Sequence, residues 1–277
     1  MGGLSMSAEE LKQLLKDLQG KKKYLDVFSK IDMKKAEGFV EFGKRLRELP
    51  KGEILGQAID EWKTKALSVY EKITNEKRSE FSAYVAEFIR SCRAENMPTR
   101  EFQNAWRVGP VELQLRPEHG TAQYAYNNQI ILKWFPVASA NDLLSKYSSV
   151  KKQLEDNKLP TDLLADVFFD AYEYLKWKRN QRGLSNDRTV PAREFYKEVR
   201  VALLRKRLEL KQSPKDLQLW AFLYNLDLYS ASITQIPQTK RLGLQSGSQH
   251  EVSKGLGIVV NGLDALQDYK TICYIIM

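Results

Sequence analysis

Lysine and arginine side chains, which bind phosphate groups through charge and hydrogen bonds, are concentrated between Lys176 and Lys215. This stretch holds thirteen bases and four acids, a net charge of +9 that equals the net charge of the whole 277-residue chain. The other residues sum to zero, so the excess charge is local and does not reflect a diffuse basic composition. A localised basic face is typical of a protein that binds a polyanion.

Aromatic side chains accompany the first bases of this stretch. Trp177 lies between Lys176 and Lys178, with Tyr172 and Tyr174 just upstream. Cations can follow a phosphate backbone, whereas aromatic rings stack on unpaired bases of any sequence. The combination favours single-stranded RNA or DNA, bound through its backbone and without sequence preference.

The second half of the stretch predicts an amphipathic helix that starts near Pro191 and ends near Lys211. Phe195, Val199 and Leu203 fall on its apolar stripe, and five bases fall on the opposite face. From this face and the end of the preceding helix we predict the nucleic-acid-binding residues. They are Lys176, Trp177, Lys178, Arg179, Arg182, Arg193, Lys197, Arg200, Arg207 and Lys211.

Two other interpretations of the charge remain open. The bases can form a solvated face paired with Glu194, Glu198 and Glu209, and bases in a last helical turn also complement the helix dipole. Alternatively, the basic helix belongs to an adaptor that binds an acidic protein partner. Four acids are too few to neutralise thirteen bases, so nucleic acid is the leading hypothesis.

A metal-dependent nuclease is the third hypothesis. Glu112 and Gln114 lie two apart on a predicted strand, and Lys133 follows, a pattern that can direct two ligands at one metal ion. The pattern normally also needs an aspartate on the preceding strand, and Glu101 is the only close substitute. The pattern is therefore incomplete, and we predict a non-enzymatic protein with no metal and no cofactor.

The cysteines and histidines do not form a recognisable site. Cys92 and Cys273 are far apart in sequence, as are His119 and His250, so neither a disulfide nor a zinc site is expected. Free thiols fit a reducing compartment such as the cytoplasm. The chain has no apolar run long enough to cross a membrane and no secretory leader at its start, so we expect neither membrane insertion nor secretion.

The periodicity of apolar residues and the turn residues predict the elements that position these side chains. They indicate a mainly α protein with a small antiparallel β meander and a C-terminal β hairpin, an α+β fold. Helices are predicted through the first hundred residues, including one from Ser7 to Leu18 and a new one capped by Asn75. Alternating residues predict the meander at 106–135, and Asn261–Gly262 predicts the terminal hairpin turn.

Three regions follow from this pattern. They are a helical N-terminal region at 1–100, the meander with the basic helices at 101–229, and a polar loop with the hairpin at 230–277. The apolar last strand must be covered, either by the meander or by the sheet edge of another subunit. On the second possibility we expect a homo-oligomer or a subunit of a larger nucleoprotein complex.

Overall fold

The computed structural model describes residues 26, 28–32, 36–49, 57–102, 105–183, 188–211, 213, 215–255, 257–260, 262–268 and 270–277. The predicted helix at 7–18 and Asn261 lie outside these residues. The chain forms two compact units. The first comprises Met1–Tyr84 with Arg116–Thr121, and the second Val85–Leu115 with Ala122–Met277.

The described residues confirm the predicted α+β fold. Their α-helices are α1 (Ala36–Glu48), α2 (Gln57–Ala94), α3 (Ala140–Asp156), α4 (Thr161–Gln181), α5 (Ala192–Glu209), α6 (Leu219–Ala231) and α7 (Gln249–Ser253). Their strands are β1 (Thr99–Phe102), β2 (Ala105–Val108), β3 (Val111–Arg116), β4 (Thr121–Tyr126), β5 (Gln129–Pro136), β6 (Thr189–Pro191), β7 (Gly243–Gln245), β8 (Ile258–Val260), β9 (Lys270–Ile272) and β10 (Tyr274–Ile276).

Helix α1 packs in the first unit through an apolar stripe at helical spacing. Leu46 and Leu49 are buried there against partly buried residues that include Phe28 and Leu67. Gly43 is required by a close approach, because a Cβ atom at this position would lie 2.0 Å from the Tyr70 ring. Apolar spacing and one small residue together let α1 lie against α2.

Helix α2 is continuous over 38 residues, so the predicted new helix at Asn75 is wrong. Asn75 is a good cap but lies inside a stretch that holds neither glycine nor proline, and nothing breaks the backbone hydrogen bonds there. The helix ends at Ala94, and Asn96, two residues later, adopts a left-handed φ of 57° while the Met97 amide donates to the Cys92 carbonyl. Asparagine tolerates this conformation better than most residues do.

The predicted meander is a five-stranded sheet with the sequential order β1-β2-β3-β4-β5. It begins at Thr99, earlier than predicted, because β1 pairs antiparallel with β2. Asn127 and Asn128 both have positive φ, as a tight turn between antiparallel strands requires. These two asparagines therefore form the tight connection between β4 and β5.

The C-terminal strands divide between two small sheets. β8 and β9 form the predicted strand pair, with Ile258 opposite Ile272 and Val260 opposite Lys270. The predicted turn at Asn261–Gly262 does not connect them by itself, because nine residues, 261–269, separate the two strands. β10 instead lies between β6 and β7 and pairs antiparallel with both. The last strand is thus covered by neither the meander nor another subunit, but by strands of its own chain.

Residues 230–257, predicted as a polar loop, contain β7, α7 and two short 3-10 helices. Ser248 starts α7 with a capping box, accepting the Glu251 amide while the Glu251 carboxylate accepts the Ser248 amide. The preceding helix α6 begins at Leu219. Among the described residues, no helix is both long and apolar enough to span a membrane.

Candidate nucleic-acid interface

The predicted basic segment forms α4, β6 and α5, all within the second unit. Phe168 of α4 contacts Phe195 of α5 at 5.4 Å between ring centroids, and Tyr174 lies 6.0 Å from the guanidinium of Arg205. Side chains of α4 and α5 therefore meet at both places and share one surface.

An aromatic and cationic surface, which we call the α4–α5 platform, consists of Tyr174, Trp177, Lys178 and Arg205. The Trp177 side chain is 57% exposed and lies 5.9 Å from the Tyr174 ring, with 35° between the ring planes. The Lys178 ammonium lies 5.9 Å from the centre of the Tyr174 ring. On a helix, positions i, i+3 and i+4 share one face, which is why residues 174, 177 and 178 lie together.

Two exposed apolar side chains extend the platform along α5. Val201 and Leu208 are exposed and lie four residues before and three residues after Arg205, on the same face of the helix. Large apolar side chains grouped on a surface mark interaction sites more often than isolated ones do. The platform therefore offers flat apolar contact beside positive charge.

Most of the positive charge in the segment is not neutralised by described acids. Of its thirteen bases, three form ion pairs with acidic side chains that the structure describes. They are Lys176 with Glu173, Arg200 with Asp216, and Lys206 with Glu209. Within the same described part of the chain, Glu194 and Glu198 make no ion pair, so of the three acids expected to pair with this face only Glu209 does.

Arg200 and Arg207 hold the chain that follows α5. Arg200 donates two hydrogen bonds to the Asp216 carboxylate, at 2.9 and 2.7 Å, and these raise the pKa of its guanidinium. Arg207 donates to the Lys215 carbonyl at 2.9 Å. Both side chains lie on the predicted basic face, but they bind residues 215–216 back against the helix.

The remaining predicted residues lie in three places. Arg193 and Lys197, at the start of α5, line a cleft together with residues of α6 and β8. Arg179 and Arg182 lie at the C-terminal end of α4, where positive charge complements the helix dipole. Lys211 lies beyond the end of α5 with a left-handed φ of 55°.

Three residues that lie outside the predicted set make contacts that bear on the interface. Arg205 was not among the predicted residues, because it lies about a third of a turn around α5 from the five bases that share a face. Its spacing from Val201 and Leu208 is the pattern that indicates it. Tyr172 is buried and donates to the Arg188 carbonyl at 2.6 Å, and Tyr196 donates to the Leu217 carbonyl at 3.1 Å. The Tyr172 ring is buried and the Tyr196 ring is partly buried, so neither is as exposed as that of Trp177.

The residues of the nuclease hypothesis lie in the meander. Glu112 is buried, lies opposite Arg107 in the β2–β3 register, and accepts the Asn128 amide at 3.3 Å. Gln114 accepts a hydrogen bond from Gln123 at 2.5 Å. The searched, described residues contain no group of three His, Cys, Asp or Glu side chains placed to hold a metal ion. Cys92 and Cys273 are both buried free thiols, and burial raises the pKa of Cys92 to about 11.

Comparison of the chain with protein-family models, with curated proteins and with solved structures gave no match.

Proposed function

We propose that the protein binds single-stranded nucleic acid, RNA or DNA, through the α4–α5 platform, without sequence preference and without chemical change to the strand. The observation that supports this most directly is the exposed Trp177–Tyr174 pair, with Lys178 and Arg205 both about 6 Å from the tyrosine ring. Rings of this kind stack on any base, and the cations beside them contact phosphates.

Positive charge alone would serve an acidic protein as well as a nucleic acid. Exposed aromatic rings favour the nucleic acid, because a base offers a flat π face that an acidic side chain lacks. The proposal is confined to binding. A homo-oligomer is expected if the terminal strand needs the sheet edge of another subunit. Both edges of that strand are paired within the chain, so the strand gives no reason to expect one.

Fluorescence anisotropy of labelled single-stranded oligonucleotides, titrated at rising salt, tests the proposal. If the platform contacts about four phosphates, log Kd should change with log salt with a slope of about 3. Trp177→Ala should weaken binding by roughly tenfold, since stacking on one base contributes about 1–3 kcal/mol. The Lys178→Glu/Arg205→Glu double variant should weaken it further and reduce the salt slope.

Matched variants separate the platform from general effects of charge or of tryptophan loss. Trp62→Ala removes another exposed tryptophan, and Lys152→Glu reverses an exposed charge on α3. Both should bind like the unmodified protein, and circular dichroism should show the fold unchanged in all variants. Equal affinities of platform and control variants would contradict the proposal. An acidic partner would be favoured instead if heparin bound as tightly as the oligonucleotide and if Trp177→Ala changed neither affinity.

A further inference from the structure

The cleft beside Arg193 has a composition different from the platform, and its ligand can be inferred from its walls. Its volume is about 430 Å³, within the range of small-molecule sites. Arg193, Tyr196 and Lys197 from the first two turns of α5 form one wall. Among the described residues that line the cleft, two are cations and none is acidic. The cleft is therefore suited to an anion.

The charged wall lies at the favourable end of α5 for an anion. The first turn of a helix carries the positive end of its dipole, and Arg193 and Lys197 add two full charges there. Arg193 is oriented by a hydrogen bond from Nε to the Gly257 carbonyl at 3.4 Å. A phosphate group beside both side chains would receive charge-assisted hydrogen bonds.

The other residues that line the cleft are apolar or carry amides. Leu219 and Leu223 of α6 and Ile258 of β8 form an apolar wall, and Asn128 lies at the β4–β5 turn. The Tyr196 ring is held in place, because its hydroxyl donates to the Leu217 carbonyl and the ring packs 5.0 Å from Phe222. These groups suit a planar ring with hydrogen-bonding edges.

From the joint presence of these walls, we infer that the cleft binds a single nucleotide, its phosphate at Arg193 and Lys197 and its base between Tyr196 and the leucines. The nucleotide is either a free mononucleotide or the phosphorylated end of a strand, since both present the same chemistry. The inference does not depend on the α4–α5 platform, which consists of other residues.

Isothermal titration with AMP, UMP, uridine and inorganic phosphate tests this assignment. The nucleotides should bind. Uridine alone and phosphate alone should each bind at least about tenfold more weakly than the nucleotides, since each lacks one half of the contacts. Lys197→Glu should weaken AMP binding by about tenfold or more. Lys152→Glu, the same change on α3, should leave AMP binding unchanged.

A second variant protects the test against loss of the fold. Asn128 has a φ of 61°, a conformation that glycine adopts readily, so Asn128→Gly keeps the turn and removes only the amide from the cleft. It should retain the unfolding temperature and weaken nucleotide binding. Failure of all nucleotides to bind, equal binding of phosphate and AMP, or indifference to Lys197→Glu would each overturn the inference.

The source of the nucleotide is decided by oligonucleotides with and without a 5′ phosphate. Tighter binding of the phosphorylated strand, lost in Lys197→Glu but not in Trp177→Ala, would identify a strand end. Binding of AMP without this preference would identify a free nucleotide. Because Trp177→Ala reports on the platform and Lys197→Glu on the cleft, failure of one proposal is distinguishable from failure of the other.

Discussion

Asp227 is an acidic residue whose burial opposes its ionisation. It is buried on α6, where Tyr126 donates to its carboxylate at 2.6 Å and Asn127 donates at 3.4 Å. Burial raises its pKa, and the hydrogen bonds and the nearby Arg107 only partly offset that shift. The folded protein therefore favours the neutral carboxyl more than the unfolded chain does.

The sign of the pH effect follows from this shift. The folded state keeps the Asp227 proton to a higher pH than the unfolded chain, in which the pKa is near 3.8. The stability contributed by Asp227 is complete below that value and is lost as pH rises through the folded pKa. Asp227→Asn, which keeps an acceptor for Tyr126, should therefore gain stability relative to the unmodified protein between pH 4 and pH 7.

Urea unfolding at both pH values measures the effect as a free energy of unfolding. Glu80→Gln, which neutralises an exposed carboxylate on α2, should follow the pH dependence of the unmodified protein. The assignment would be contradicted if the free energy of unfolding that Asp227→Asn gains over the unmodified protein did not change with pH. It would also be contradicted if that gain were greater at pH 4 than at pH 7.

At this scale the sequence indicated Trp177 correctly as an exposed ring among cations, because its immediate neighbours are charged. Helical spacing placed Arg200 on the predicted basic face and left Arg205 off it, but it did not distinguish a cation bound to the chain from one beside an exposed aromatic ring. The distinction depends on Asp216 folding back onto Arg200 and on Tyr174 of another helix approaching Arg205. Both are tertiary contacts, and helical spacing carries no information on them.

At the scale of elements, the continuity of α2 is the sharpest difference between expectation and structure. If Asn75 capped a new helix, proline at residue 76 would occupy its first turn and be tolerated. In a continuous helix the same proline removes a hydrogen bond and clashes with the preceding turn. We expect Glu76→Pro to destabilise the first unit by about 3 kcal/mol.

Thermal unfolding followed by circular dichroism measures this loss. The matched control is Gln249→Pro, because residue 249 is the exposed first residue of α7, immediately after the Ser248 cap. It should unfold close to the temperature of the unmodified protein. A harmless Glu76→Pro would show that the helix does break at Asn75.

For the molecule as a whole, the position of β10 decides what the last residues do. If a strand pairs with another subunit, substitutions in it weaken association. If it lies between two strands of its own chain, substitutions in it destabilise the fold. Ile275 is buried and lies opposite Val190 on β6 and Leu244 on β7. We expect Ile275→Ala to lower the free energy of unfolding by about 2–5 kcal/mol.

Sedimentation equilibrium beside denaturant unfolding separates the two possibilities. Ile276→Ala removes the same atoms from the adjacent, less buried position and should cost less. The oligomeric state should be the same for both variants and the unmodified protein. A change in oligomeric state with unaltered unfolding would show that the strand serves association.

The sequence by itself determined the α+β class, the apolar face of α5, the meander and the location of the excess charge. These depend on local periodicity, turn chemistry and composition, which are set by residues close together in the sequence. Only the tertiary structure decided which cations are bound to the chain, which ring faces stay exposed and which strands cover β10. Those outcomes depend on residues far apart in sequence coming together, as when Asp216 binds Arg200 and a cleft forms between α5, α6 and β8.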